Sequence, residues 1–144
     1  IANLPYNIAT VLLIKWLKKR HLFESMTLMF QKEVAERIVA DPKTKAYGRL
    51  SIITQAFCEA NIQFDLPPTV FFPPPKITSS IINIWPKEDK NADVKFSTLE
   101  HICQCLFIQR RKMLKKTIKT LFAEPELIAE KLNIDLSKRP EELS

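Results

Sequence analysis

The stretch Ser25-Met26-Thr27-Leu28-Met29-Phe30-Gln31, followed by a helical composition from Lys32 to Ala40, decides the fold class. The first stretch is short and nearly continuous in apolar residues, which is typical of a strand buried on both faces. A second helical pattern runs from Leu50 to Ala60, after a basic loop at Asp41 to Arg49 that holds the only glycine, Gly48. Because strand and helix alternate, the sequence predicts an α/β domain.

Upstream of this unit, the four residues Asn3-Leu4-Pro5-Tyr6 lack periodicity and include a proline, so they predict a loop. They lie between the end of a strand at Ile1-Ala2 and an apolar-rich helix from Ile8 to Arg20, for which Asn7 is a plausible N-cap. The loop is therefore expected at the entrance of a helix.

Downstream, two alternating stretches, Asn61 to Leu66 and Ser79 to Trp85, predict two more strands. The segment between them is expected to be stiff, because each proline ring fixes the backbone angle φ. It holds half of the ten prolines of the chain: Pro67, Pro68, Pro73, Pro74 and Pro75.

Beyond the last strand the composition becomes helical. Residues Pro86 to Asp93 are polar and predict a linker, and Ser97 with Glu100 forms a capping-box pattern. A pattern without proline or glycine then continues to Glu124, and Pro125 opens another helix. We therefore expect one domain in residues 1–86 and a small all-α domain in residues 87–144, incomplete at its C-terminus.

Composition narrows the class of protein. With 46% hydrophobic and 26% charged residues the chain is typical of a globular domain, and its longest apolar run, Val11 to Ile14, is too short to span a bilayer. Three cysteines without a C-x-x-C spacing favour a reducing, cytoplasmic location and no metal. The chain begins with Ile1 rather than methionine, so we expect that an upstream part is missing.

The net charge of +6 is concentrated in one stretch between Leu106 and Phe122. A localised basic stripe predicts a polyanionic partner, most often nucleic acid, although a solvated helix face is the alternative. If the stretch is one helix, Arg110 falls on its apolar side and is expected to be buried and paired. The other basic residues form one face, expected to meet phosphates: Arg111, Lys112, Lys115, Lys116 and Lys119.

The loop Asn3-Leu4-Pro5-Tyr6 has the residue types needed to activate an aromatic amine. Such an amine is a poor nucleophile because its lone pair is delocalised into the ring. The Asn3 side-chain oxygen and the Leu4 carbonyl could accept hydrogen bonds from the two amine protons, while Pro5 holds that carbonyl and Tyr6 offers a face for stacking. A capped helix start is the alternative.

Five motifs in order and spacing resemble the KsgA/Dim1 family of ribosomal RNA adenine dimethyltransferases. The resemblance implies transfer of methyl groups from S-adenosylmethionine to two adjacent adenines of small-subunit ribosomal RNA, with the pre-ribosomal small subunit as partner. The motifs are Asn3 to Thr10, Gln31 to Arg37, Lys45 to Ser51, Phe71 to Ser79 and Gln109 to Lys112.

The same resemblance implies a fold and roles for particular residues. Residues 1–86 would be the C-terminal part of a class I, Rossmann-like methyltransferase domain, and residues 87–144 a helical RNA-binding domain. Tyr6 would stack on one face of the target adenine and Phe71 on the other, whereas we expect Phe72 in the core. The residues expected to contact RNA are Lys45, Arg49, Lys76, Arg111, Lys112, Lys115, Lys116 and Lys119.

The chain departs from the family pattern at the methyl-donor site. With one glycine it has no glycine-rich donor turn, and Asn3 would form only the edge of that site. We therefore expect no bound S-adenosylmethionine and no activity of this fragment alone. Strand Ser25 to Gln31 is expected to have an unpaired edge, through which the fragment would self-associate.

Two other functions fit the sequence less closely. One is a non-catalytic module of the same fold that docks on RNA during ribosome assembly, which the presence or absence of an upstream G-x-G-x-G turn would distinguish. The other is a DNA-binding transcription factor of the same fold, which competition between RNA and DNA would distinguish.

Overall fold

A computed structural model describes residues 1–87, 94–109 and 112–143. Within these ranges it contains four strands and six helices, with short 3-10 turns between some of them. The strands are β1 (Ala2–Asn3), β2 (Met26–Gln31), β3 (Cys58–Leu66) and β4 (Ser79–Pro86). The helices are α1 (Tyr6–Lys18), α2 (Lys32–Val39), α3 (Arg49–Phe57), α4 (Phe96–Phe107), α5 (Leu114–Thr117) and α6 (Pro125–Lys131).

The four strands form one mixed sheet in the order β1-β2-β4-β3. Strand β1 runs parallel to β2, and β4 pairs antiparallel with both β2 and β3. The α/β class expected from the sequence is confirmed, and β2 is buried at four of its six positions, as its continuous apolar pattern predicted. The edge strand β3 is largely half-buried or exposed, and its register is irregular between Ile62 and Phe64.

The expected unpaired edge on Ser25 to Gln31 is wrong in part. Strand β2 pairs with β4 over six residues, from Met26 opposite Ile84 to Gln31 opposite Ser79. On its other side it pairs with β1, where Leu28 lies opposite Ala2. One side of β2 is therefore paired along its whole length and the other side only at Leu28 and Met29, while the expected self-association stays a prediction.

The core lies between the sheet and the helices, and it includes part of the helical segment beyond the sheet. Phe30 is 1% exposed, and Cys103 of α4 belongs to the same buried cluster. The rings of Phe57 in α3 and Phe96 in α4 stack with their centroids 5.2 Å apart. Helix α4 is thus built onto the α/β core, while the division at residues 86 and 87 stays a prediction.

Two predicted helix starts are wrong. Helix α1 begins at Tyr6 with Pro5 at the N-cap position, not Asn7, because the proline carbonyl already accepts the first intrahelical hydrogen bonds. The capping box at Ser97 is absent: α4 begins one residue earlier, its N-cap has no side-chain hydrogen bond, and Glu100 is engaged in ion pairs instead.

The single helix expected through the basic stretch is also wrong. Helix α4 ends at Phe107, and the next helix, α5, is one turn long. The backbone N–H groups of Leu114 and Lys115 donate to the carbonyls of Lys138 and Leu136, at 2.8 and 3.0 Å. These tertiary hydrogen bonds replace the intrahelical bonds that a continuous helix would make. The predicted start of a helix at Pro125 is confirmed.

The expectation that Arg110 is buried and paired rested on that single helix. Its helical geometry therefore no longer applies. Both Arg110 and Arg111 lie outside the described residues.

Candidate functional site

The loop Asn3-Leu4-Pro5-Tyr6 lies where a short parallel strand ends and a helix begins. Asn3 is the last residue of β1 and pairs in register with Met29 of β2. Pro5 has φ of −57° and ψ of 129°, and its carbonyl accepts hydrogen bonds from the Ile8 and Ala9 N–H groups, each at 3.1 Å. The loop is therefore fixed at both ends, by sheet pairing before it and by the first helical turn after it.

Tyr6 is held by a contact that joins distant parts of the chain. Its hydroxyl and that of Ser79 are 2.6 Å apart, and either can be the donor. Ser79 is fully buried and is the first residue of β4, where it pairs with both Gln31 and Leu66. Because Tyr6 is only half-buried, the hydrogen bond orients the ring while part of the side chain stays accessible to solvent.

The base of the proline-rich segment is fixed by a second polar group. The Ser80 hydroxyl donates to one oxygen of Asp65 at 2.6 Å, and the Lys32 ammonium donates to the other at 2.6 Å. The hydrogen bond from Lys32 holds the pKa of Asp65 below its usual value and raises the pKa of Lys32. The Lys32 N–H also donates to the carbonyl of Thr78 at 3.0 Å, so the segment is anchored where it enters β4.

The two adjacent phenylalanines of this segment differ in exposure. Phe71 is half-buried, whereas Phe72 is 99% exposed, so the expectation that Phe72 packs in the core is wrong. Phe71 has an extended backbone, with φ of −111° and ψ of 151°. In an extended chain successive side chains point to opposite sides, so when one ring faces the protein its neighbour faces solvent.

Arg49, expected to contact RNA, is engaged inside the chain. Its guanidinium lies 3.2 Å from Glu100 of α4, whose other oxygen is 2.9 Å from the Lys18 ammonium. The hydrogen bond from Lys18 is the main reason that the pKa of Glu100 is lowered, and Arg49 adds to it. The other two predicted contacts outside the basic stretch, Lys45 and Lys76, are exposed.

The lysines of the basic stretch surround a ridge of three buried residues, Leu114, Thr117 and Ile118. Leu114 is 1% exposed and Ile118 6% exposed, and both pack inward with Thr117. The predicted RNA-contacting lysines in the described part of this stretch are all exposed: Lys112, Lys115, Lys116 and Lys119. Burial of the ridge therefore turns these lysines outward, even though the single helix expected for them does not form.

The cysteines do not form a metal centre in the part of the chain that the structure describes, where no group of three or more potential ligands occurs. Cys105 lies 3.8 Å from the His101 ring, whereas Cys103 is buried. Burial raises the pKa of the Cys103 and Cys58 thiols to about 11. In the same described residues no helix is long and apolar enough to cross a membrane.

The fold and site define an α/β protein that presents a candidate ligand loop at the carboxyl end of a parallel strand, the usual place for a site in such sheets. Residues 1–142 match the family model for ribosomal RNA adenine dimethylase, and the chain belongs to this family.

The names of similar proteins are consistent with this family. The chain is 49% identical over 144 residues to the ribosomal RNA small subunit methyltransferase A of Ehrlichia ruminantium, covering 100% of this chain and 55% of that protein. It is 51% identical over 121 residues to the protein of the same name from Rhodospirillum rubrum, covering 84% of this chain and 42% of the relative. The chain thus spans about half the length of these relatives.

A solved structure with a related name also matches this chain. The dimethyladenosine transferase of Plasmodium falciparum superposes with a TM-score of 0.87 at 29% identity, covering 99% of this chain and 61% of that one. The matches align this chain with the N-terminal part of the relatives. The expectation that it is the C-terminal portion, with the C-terminal half of the sheet, does not fit that alignment.

Sequence reasoning missed the residues that hold the site in place. Ser79 and Ser80 lay within the quoted motif Phe71 to Ser79 or next to it, but two serines at a strand start gave no signal of their partners. Asp65 was likewise unassigned, and Glu100 was assigned only to a capping box. For the two serines the available signal was their position, because a polar residue in an otherwise apolar strand is buried only when a partner satisfies it.

Proposed function

We propose that this chain forms the target-base side of an S-adenosylmethionine-dependent dimethyltransferase that modifies two adjacent adenines of small-subunit ribosomal RNA. The observation that carries the proposal is the fixed Asn3-Leu4-Pro5-Tyr6 loop, with Tyr6 tied to Ser79. The family and the names of the relatives support the reaction and the RNA substrate. A cytoplasmic location belongs to the same proposal.

In this proposal Asn3 and Leu4 act on the exocyclic amine of the adenine. The Asn3 amide oxygen and the Leu4 carbonyl each accept a hydrogen bond from one of the two amine N–H groups, which favours a pyramidal nitrogen whose lone pair can attack. Pro5 restricts the backbone between Leu4 and the helix, so the Leu4 carbonyl keeps its direction. Tyr6 stacks on one face of the extruded base and Phe71 on the other.

The methyl donor supplies an electrophilic methyl group on a sulfonium. Of the residues described, Asn3 alone is proposed to border the donor. The chain has one glycine, whereas sheets of this kind usually approach a nucleotide ligand with a glycine-rich turn. We therefore propose that this chain alone neither binds S-adenosylmethionine nor transfers a methyl group.

RNA affinity is proposed to come mainly from the outward-facing lysines. Lys112, Lys115, Lys116 and Lys119 are exposed, and none of them is in the ion pairs described above. Contacts to phosphate position a nucleic acid without reading its sequence, so the lysines would dock the RNA while the loop selects the base. Lys45 and Lys76 would add to this surface.

A non-catalytic module that docks on RNA during ribosome assembly is the second candidate. The same four lysines and the single glycine favour it, because they provide for docking and not for donor binding. The two functions differ in one property: only the methyltransferase requires the Asn3 side chain.

A chimaera tests the proposal. The chain replaces the matching part of the Ehrlichia ruminantium relative, and methyl transfer to a small-subunit RNA particle is measured together with RNA affinity. Asn3→Ala is expected to lower turnover by about 100-fold or more, with affinity changed by less than about twofold. Equal losses in turnover and affinity would contradict the assigned role. An active Asn3→Ala chimaera would contradict the role of Asn3, whereas a chimaera of the natural chain that binds the RNA but transfers no methyl group would favour the docking module.

A further inference from the structure

Phe72 is the largest apolar side chain left open in the proline-rich segment. It is 99% exposed, whereas Val70 in the same segment is 57% exposed. The segment is not a disordered tip, because it is closed on itself by hydrogen bonds from Val70 and Phe71 to the carbonyls of Pro67 and Pro68, both 3.2 Å long. An aromatic ring is therefore presented to solvent from a stiff support.

The ring of Phe72 cannot share a base with Phe71. Because Phe71 is extended, the two side chains leave the backbone on opposite sides. The Phe72 ring therefore lies outside the pocket that Phe71 is proposed to line, where it is open to a neighbouring nucleotide.

We propose that Phe72 stacks on the unpaired base adjacent to the target adenine. This inference rests on the proposed function, and it adds a second base contact outside the target pocket. When the target adenine is extruded, the neighbouring base of the RNA loses its stacking partner. The Phe72 ring would replace that partner and so hold the RNA strand on one side of the extruded base.

The surroundings of Phe72 favour a nucleobase over an apolar protein or lipid surface. Phe72 is followed by the exposed Pro73 and Pro74 and by the exposed cation Lys76. The chain carries a net charge of +6, which attracts a polyanion to such a ring. Aromatic rings interleaved with cations on a rigid support are the usual platform for single-stranded nucleic acid.

The test uses the whole chain and a single-stranded RNA with two adjacent adenines, carrying 2-aminopurine at the neighbouring position. Phe72→Ala and Phe72→Leu are compared with Phe72→Trp, and Val70→Ala is the matched control on the same segment. Affinity is measured by anisotropy over a range of salt, base stacking by 2-aminopurine quenching, and folding by thermal denaturation.

Alanine and leucine are expected to weaken binding roughly 5- to 100-fold and to abolish the quenching, whereas tryptophan keeps both within about twofold. The slope of log affinity against log salt should not change, because no phosphate contact is lost. Phe72→Leu binding as tightly as the natural chain, or any Phe72 variant with a lowered melting temperature, overturns the inference. Absence of RNA binding by the natural chain contradicts the proposed function itself, and a loss of affinity in the Val70 control equal to that at Phe72 contradicts only the stacking role.

Discussion

The hydrogen bond between Tyr6 and Ser79 predicts an asymmetric loss of stability when either hydroxyl is removed. Tyr6→Phe deletes one hydroxyl and keeps the ring, and Ser79→Ala deletes the other. The two oxygens are 2.6 Å apart, and Ser79 is fully buried while Tyr6 is half-buried. The two variants therefore leave different groups without a partner.

The magnitude follows from that difference. In Tyr6→Phe the Ser79 hydroxyl stays buried and unsatisfied, which costs about 1 to 3 kcal/mol. In Ser79→Ala the Tyr6 hydroxyl is near enough to the surface to find water, so the loss is expected to be about 0.5 to 1.5 kcal/mol, the net value of one hydrogen bond. The double variant leaves no buried hydroxyl without a partner, so it should lose about as much stability as Ser79→Ala alone.

Urea denaturation of the three variants and the natural chain gives the coupling energy as a double-mutant cycle. We expect a coupling of about 1 to 3 kcal/mol, equal in size to the Tyr6→Phe loss, with RNA affinity little changed because the Tyr6 ring remains. Strictly additive losses would mean that the two hydroxyls do not interact in solution. A larger loss for Ser79→Ala than for Tyr6→Phe would contradict the burial argument.

Three other outcomes are expected. Lys115→Ala and Lys116→Ala should each flatten the log-log salt dependence of RNA binding by about 0.7 to 0.9, and unchanged slopes would place these lysines away from phosphate. Glu100→Gln should cost about 1 kcal/mol at pH 7, as measured by denaturation against pH. Because folding lowers the pKa of Glu100 from 4.5, this difference should be fully present above pH 4.5 and should be lost as the pH falls through the lower pKa of the folded state. Cys58 and Cys103, with pKa values of about 11, should resist alkylation at pH 8 until the chain unfolds, and rapid labelling of either in the folded chain would contradict their burial.

Patterns that depend on local burial could be predicted from the sequence. The continuous apolar run at β2 and the alternation at β4 identified both strands, because side-chain period and burial are set by the strand itself. The position of the Asn3 to Tyr6 loop at a helix entrance followed in the same way from the proline and the apolar pattern after it. Family resemblance then supplied roles that periodicity alone does not give.

Features that depend on distant partners could not be predicted. The basic stretch has no proline or glycine, yet the helix ends at Phe107, because Leu114 and Lys115 donate their N–H groups to the segment at Leu136 to Lys138. Phe72 was expected in the core on composition alone, whereas the extended backbone at Phe71 directs the two rings apart. At the basic stretch the decisive contacts are tertiary and override a local helical preference, whereas at Phe72 the direction of the local backbone decides the exposure.

The two serines that begin β4 show how the site depends on strand register. Ser79 and Ser80 are adjacent in a strand, so their side chains lie on opposite faces of the sheet, and each fully buried hydroxyl has one partner. Ser79 meets Tyr6 on one face, and Ser80 meets Asp65 on the other. A slip of β4 by one residue would exchange the two faces, leave both hydroxyls without their partners and leave Asp65 with Lys32 alone. The pair therefore fixes the register of β4 and, through it, the end of the proline-rich segment that carries Phe71 and Phe72.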